Sequence, residues 1–152
     1  MAGNKPQKEF VPLQIAVVTV SDTRTEDNDT SGQYLVDALA EQGHHLYQKH
    51  ICKDDVDALR ALVKTLIDDV KVHAVLLTGG TGFTKRDNTV VAISPLLESA
   101  IDGFGELFRY LSYKEIGSST IQSRAFGGLS NSTVVFCMPG SPGACKTAWE
   151  GI

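Results

Sequence analysis

The chain has 152 residues, 42% of them hydrophobic and 21% charged, the proportions of an ordinary globular domain with enough length for one sizeable core. Its formal net charge of −4 excludes the broad basic face of a non-specific nucleic-acid binder. The longest apolar run, near Ile15 to Val20, is too short to span a membrane, and the opening MAGNKPQKEF lacks the apolar stretch of a secretory leader.

Residues 1–9 read as a disordered tail. The segment LQIAVVTV, Leu13 to Val20, is rich in β-branched residues and has the length of a buried strand. The polar SDTRTEDNDTSG follows as a loop. From Ser31 the spacing turns helical, with Tyr34, Leu35, Ala38 and Leu39 on one face and Gly43 as a stop. HLYQKHIC alternates loosely and predicts a second strand. Asp54 or Asp55 then caps a helix whose apolar residues, Leu59, Leu62, Val63, Leu66, Ile67 and Val70, recur at steps of three and four. VHAVLLT predicts a third strand. Asn88 to Glu98 reads as helical, interrupted or kinked by Pro95. GFGELFRYLSYKEIG is an amphipathic helix between glycines, TVVFCM a late strand, and a last helix begins about Ala144. Cys52, Cys137 and Cys145 are odd in number and scattered. They read as small buried residues rather than a disulfide framework, and they fit a reducing cytoplasm.

Strands alternating with helices predict a single three-layer α/β domain, doubly wound, with a mostly parallel sheet. Ligands of such sheets bind beyond the carboxyl ends of the strands. Three polar segments converge there on this topology: SDTR, GGTGFTKRD and PGSPGACK. The segment CKDD joins them.

The second of these carries the most chemistry. Gly79, Gly80 and Gly82 can take positive φ and present amide N–H groups as a nest for anionic oxygens. Thr81 and Thr84 add hydroxyls, and Lys85 and Arg86 add charge. A phosphate cradle and a plain strand-to-helix turn both fit this composition. A second loop, Pro139 to Gly143, repeats the pattern after the late strand with Ser141 at its centre. Asp87 closes the glycine loop, and Asp54 or Asp55 lies in the segment that joins the same edge. Mg²⁺ is held by one or two carboxylates together with substrate phosphates and water, so both aspartates suit phosphoryl or nucleotidyl transfer. Helix capping fits them as well.

Other motifs fall short. GSPGACKT follows a strand as a P-loop does, but Cys145 stands where the last glycine belongs. GTGFTK has Lys85 in place of the third glycine of a dinucleotide fingerprint and follows the third strand. His44, His45 and His50 have no further ligand to complete a metal set and read as ordinary strand residues.

Together, VSDTR with DTSG, TGGTGFTKRD, GFGELFR, IQSRA and MPGSPGACKTAWE resemble the MoaB/MogA family of molybdenum-cofactor biosynthesis proteins, whose domain type also occurs in the gephyrin G domain. The match runs in order from about Phe10 to the C-terminus and is nearer to MoaB. The resemblance implies one molybdopterin-binding domain over residues 1–152, with a further C-terminal segment beyond the point that matches Ile152. It implies trimers, sometimes paired into hexamers, and other cofactor-biosynthesis proteins as partners. Active members are molybdopterin adenylyltransferases, which use ATP with Mg²⁺ to place AMP on the pterin phosphate and release pyrophosphate. Carried over, Asp54 and Asp87 are the catalytic and metal-binding residues. Ser21, Asp22, Thr78, Gly79, Gly80, Thr81, Gly82, Pro139, Gly140 and Ser141 are the pterin and nucleotide contacts. Some members are implied to bind pterin without catalysis, and that reading stands beside the first. Lys85 and Thr89-Val90 depart from the prolines that many members carry.

Overall fold

The computed structural model describes residue 3 and residues 6–152. Of the expected tail, residues 1, 2, 4 and 5 lie outside the described residues, and residues 6–9 are exposed and belong to no helix or strand.

Six strands form one sheet in the order β2-β1-β3-β6-β5-β4. They are β1 (Gln14–Val20), β2 (His45–Cys52), β3 (Ala74–Thr78), β4 (Ser99–Ala100), β5 (Phe126–Ser130) and β6 (Thr133–Met138). The first three and β6 run parallel, whereas β5 and β4 are antiparallel to their neighbours. The helices are α1 (Thr30–Glu41), α2 (Val56–Asp68), α3 (Thr89–Ile93), α4 (Asp102–Ile116) and α5 (Pro142–Gly151). None among the described residues is long and apolar enough to cross a membrane.

The strand period of two sorts the core into two faces. Ala16, Val18 and Val20 of β1 with Val75 and Leu77 of β3 pack under Leu59, Val63 and Leu66 of α2 and Ile93 of α3. Ile15, Val17, Ala74 and Leu76 point the other way, onto Leu35 and Leu39 of α1, Phe104 and Phe108 of α4 and Ala148 of α5. Leu35, Leu39, Leu59 and Leu77 are fully buried, each contributing roughly 1.5–3 kcal/mol by transfer from water. Because both faces of the parallel strands are covered, they read as near-continuous apolar runs. The three-layer α/β architecture is therefore the one that the alternation of elements predicts.

Several details differ from expectation. The strands β4 and β5 have no sequence signal: FGGLS carries two glycines, which weaken strand propensity. A Cβ on Gly128 would lie 2.7 Å from Ser99 O and 2.7 Å from the Leu97 side chain, so the short edge strand packs only against a bare backbone. The expected Asn88–Glu98 helix is shorter. α3 ends at Ile93, and a 3₁₀ turn at Ser94–Leu96 takes over because Pro95 cannot donate to the helical ladder. The last helix begins at Pro142 rather than Ala144, with proline in its favoured first position. His44 lies outside β2, and its Nδ1 accepts from the Leu13 amide at 3.0 Å.

Candidate functional site

The chain runs from β1 to β2 on one side and crosses back to β3 on the other, which makes the carboxyl ends of β1 and β3 a topological switch point. A cavity of about 520 Å³ opens there. The residues expected as catalytic, metal or substrate contacts all line it: Ser21, Asp22, Asp54, Thr78, Gly79, Gly80, Thr81, Gly82, Asp87, Pro139, Gly140 and Ser141. Thr84 and Lys85, also expected at the cradle, do not and are exposed.

Close main-chain packing builds its floor. Gly79 has φ +110° and Gly80 φ +69°, conformations that a side chain rarely allows. A Cβ on Gly79 would sit 2.3 Å from the Val20 carbonyl, and one on Gly80 2.2 Å from Thr89 Oγ1 and 3.0 Å from Asp54 Oδ2. The Gly79 amide donates to Met138 O at 2.9 Å, and a Cβ on Gly140 would lie 3.3 Å from Gly79 Cα. The two glycine loops therefore touch backbone to backbone. Thr78 Oγ1 donates to Pro139 O at 2.9 Å and Ser31 Oγ to Gly140 O at 2.6 Å, fixing the second loop from two sides. Ser141 caps α5 by accepting from the Ala144 amide at 3.1 Å, so a ten-residue helix starts at the cavity rim.

The capping question resolves differently for each aspartate. Asp55 caps α2 by accepting from the Ala58 amide at 2.8 Å. Asp54 points elsewhere: its Oδ1 accepts from the Asn88 amide at 2.9 Å, its amide donates to Asp22 Oδ1 at 3.0 Å, and its Oδ2 faces the Gly80 main chain. Asp87 caps no helix. Its Oδ2 accepts from the Thr84 amide at 2.9 Å and the Thr84 hydroxyl at 2.6 Å, closing its own loop, and α3 begins after Asn88 with no side-chain cap.

The two carboxyls have opposite electrostatics. Burial raises Asp54 above its ordinary value, the Asn88 bonds oppose this, and the charges of Asp87 and Asp22 add to the rise. Burial also pushes Asp87 up, but the Thr84 bonds, the Gly82 amide and the Arg124 charge outweigh it and hold the carboxyl below its ordinary value. Asp22, Asp54 and Asp87 thus place negative charge in one cavity. No group of three His, Cys, Asp or Glu among the described residues could enclose an ion unaided. What the cavity offers is hard carboxylate oxygens, the donor type that hard divalent cations take, and no closed metal cage.

The cavity also holds residues that the sequence did not nominate as contacts. Arg24 brings positive charge to its wall, beside Arg86, which the sequence did suggest. Asp29 lines it while almost wholly buried. Its Oδ1 caps α1 by accepting from the Gly32 amide at 2.9 Å. Its Oδ2 accepts from Thr19 Oγ1 at 2.7 Å and lies 3.2 Å from Lys49 Nζ. An aspartate just before Thr-Ser-Gly suits a cap, but nothing in the sequence marks its reach to Thr19 and Lys49. Lys85 is exposed and Lys146 faces a separate recess between α4 and α5, so neither serves as a P-loop lysine.

Residues 16–152 match the protein family described as "Probable molybdopterin binding domain". The chain belongs to this family. It is 51% identical over 144 residues to Molybdenum cofactor biosynthesis protein B of Escherichia coli (strain K12), a match covering 95% of this chain and 85% of that protein. A crystal structure of Molybdenum cofactor biosynthesis protein B superimposes with a TM-score of 0.89 at 48% identity, covering 93% of this chain and 88% of the other. For the tungsten cofactor synthesizing protein MoaB from Pyrococcus furiosus the TM-score is 0.79 at 36% identity, with 93% and 90% covered. The sequence motifs and the fold thus agree on a molybdenum cofactor biosynthesis protein of the MoaB and MogA kind, built on a molybdopterin-binding domain.

Proposed function

We propose that this member of the molybdopterin-binding family is an Mg²⁺-dependent molybdopterin adenylyltransferase. The reading is supported above all by one juxtaposition: Asp54 and Asp87 border the same cavity as two amide-bearing glycine loops that pack against each other. In the reaction an oxygen of the pterin's terminal phosphate attacks the α-phosphorus of ATP. The bond from that phosphorus to the β-phosphate oxygen breaks, and pyrophosphate leaves. The chain's residues bind and orient for that displacement. The Gly80 and Thr81 amides, left over once Gly79 donates to Met138 O and Gly82 to Asp87, cradle phosphate oxygens together with the N-terminus of α5. Arg24 and Arg86 balance their charge. Asp54 and Asp87 would hold the magnesium, with Thr84 fixing the Asp87 rotamer, and the bound ion would neutralise charge on the leaving phosphate.

A non-catalytic, pterin-binding role has one observation in its favour: both aspartates already make structural hydrogen bonds, to Asn88 and Thr84. Exposed apolar side chains on α4 and the following turn, including Leu107, Tyr113, Ile116 and Ile121, support a homo-oligomer such as a trimer in either case. The deciding assay measures pyrophosphate release and adenylylated pterin from molybdopterin, ATP and Mg²⁺, beside an Asp87→Asn variant of unchanged thermal stability. Turnover in the parent with a loss on the order of 10²-fold or more in the variant is expected for a misplaced reacting geometry. Binding without turnover in both would favour the non-catalytic role.

A further inference from the structure

The loop from Gly82 to Asp87 has little of its own to hold it. Phe83 is 66% exposed, and Thr84, Lys85 and Arg86 are exposed beside it. The Asp87 carboxylate is bonded by Thr84, which belongs to the same loop. Where that carboxylate stands in the cavity is therefore set by whatever fixes the loop as a body.

One side chain outside the cavity does so at both ends. Arg124 Nη2 donates to the Gly82 carbonyl and, at 3.3 Å, to the Asp87 carbonyl. Its guanidinium carbon lies 5.1 Å from the centre of the Phe83 ring, within cation–π range. Its main-chain amide donates to Thr81 O at 3.0 Å. Arg124 thus touches the start, the tip and the close of the loop while lining none of the cavity. Its Nε is buried without an acceptor among the described residues. Such an unmet donor has a desolvation cost, and the loop contacts hold the guanidinium there against it. The anchor is itself anchored. Arg109 Nη1, from α4, donates to Ala125 O at 2.8 Å and Ser123 O at 3.4 Å, the carbonyls on either side of Arg124. A Cβ on Gly105 would strike Ala125 O at 2.5 Å, so α4 can press this close only at a glycine.

We infer that Arg124 is a positioning residue: held to α4 by Arg109, it clamps the Gly82–Asp87 loop from behind and so sets the place of the Asp87 carboxylate. The structural part stands on these contacts alone, and its meaning for turnover rests on the function proposed above. Lysine is expected to substitute poorly. A compact, strongly hydrated ammonium on a flexible stem has no plane to lay against the Phe83 ring while one nitrogen bonds both carbonyls.

The test is amide hydrogen exchange on the protein without nucleotide, pterin or metal, comparing the parent with Arg124→Lys, Arg124→Met and Phe83→Ala. In both Arg124 variants, exchange over residues 82–87 should rise by about tenfold or more, with the strands β1, β3 and β6 unchanged, as for local opening of one weakly held segment. Phe83→Ala removes an exposed ring that the core does not need, and a smaller rise of about threefold over the same amides is expected. Unchanged exchange in that loop, or a rise spread evenly over the whole chain, would overturn the inference. Arg124→Lys should also lower kcat by about tenfold or more while KM for the pterin moves by less than about twofold, the signature of lost orientation rather than lost binding. A fall confined to KM would count against positioning. A parent without turnover would sink the adenylyltransferase reading and leave the inference to the exchange data.

Discussion

The hydroxyl of Ser31 donates to the carbonyl of Gly140 across 2.6 Å, joining residues 109 positions apart. It ties the first turn of α1 to the loop after β6, so the second glycine loop is held by an element from the other end of the chain. Ser31→Ala should lower stability by about 1 kcal/mol, the net value of one intramolecular hydrogen bond, and weaken binding of pyrophosphate by several-fold. Denaturant unfolding and isothermal titration check the two effects.

Gly80 is the tightest point of the floor. At φ +69° an alanine is strained, and its Cβ would lie 2.2 Å from Thr89 Oγ1. Gly80→Ala is expected to cost about 2 kcal/mol or more through left-handed strain and overpacking. It should also push Asp54 away from the loop. A lowered Tm together with lost nucleotide binding is the expected pair of results, whereas a neutral effect on both would contradict the packing.

Asp54→Asn separates stability from function. A carboxyl raised in the folded state disfavours folding most where it is ionised. That cost is fully present above the raised folded value and is relieved as pH falls through it to below 3.8. The asparagine keeps an oxygen for the Asn88 amide and carries no charge beside Asp87 and Asp22. The variant should therefore be more stable than the parent at about pH 8, with the advantage gone near pH 3, and should lose Mg²⁺-dependent turnover. Thermal melts across that range decide it; a variant less stable at the higher pH would refute the electrostatic account.

Asp29→Asn should act in the opposite sense. Burial raises the Asp29 carboxyl, but the bonds from Thr19, Gly32 and Lys49 outweigh it and the net direction is down. Its stabilisation is present above 3.8 and is lost as pH falls through the lower folded value. The substitution leaves Lys49, itself largely buried, with only Glu26 as a charged partner. A loss of about 2 kcal/mol at neutral pH is expected for breaking one charged contact of a buried pair, narrowing in acid. Urea midpoints at the two pH values provide the measurement.

The parallel half of the sheet was legible because β1, β3 and β6 are buried on both faces and so appear as short apolar runs. β5 was hidden by Gly127 and Gly128, which are present for space at the sheet edge and erase the usual strand signal. β4 has two residues, too few for any periodicity. The glycine loops, Asp54 and Asp87 were legible as candidates since their residue types carry the chemistry themselves. The choice between cap and cavity wall was not, because it turns on whether a carboxylate meets the amide three residues ahead, as Asp55 does, or one 34 positions away, as Asp54 does. Nothing in the sequence marks Arg124 as a clamp. Its partners are main-chain carbonyls more than 35 positions distant, and a carbonyl has no signature in a sequence.

The wall of the cavity is gathered from Thr19 to Ala144, nearly the whole span of the fold. No fragment of the chain can hold its ligand, so occupancy is linked to the global folding equilibrium rather than to a local segment. A ligand at a hundred times its dissociation constant raises the stability of such a protein by about 2.7 kcal/mol. Melting temperature then becomes a ligand detector that needs no turnover: a screen of phosphates, nucleotides and pterins would rank what the cavity prefers from heat alone.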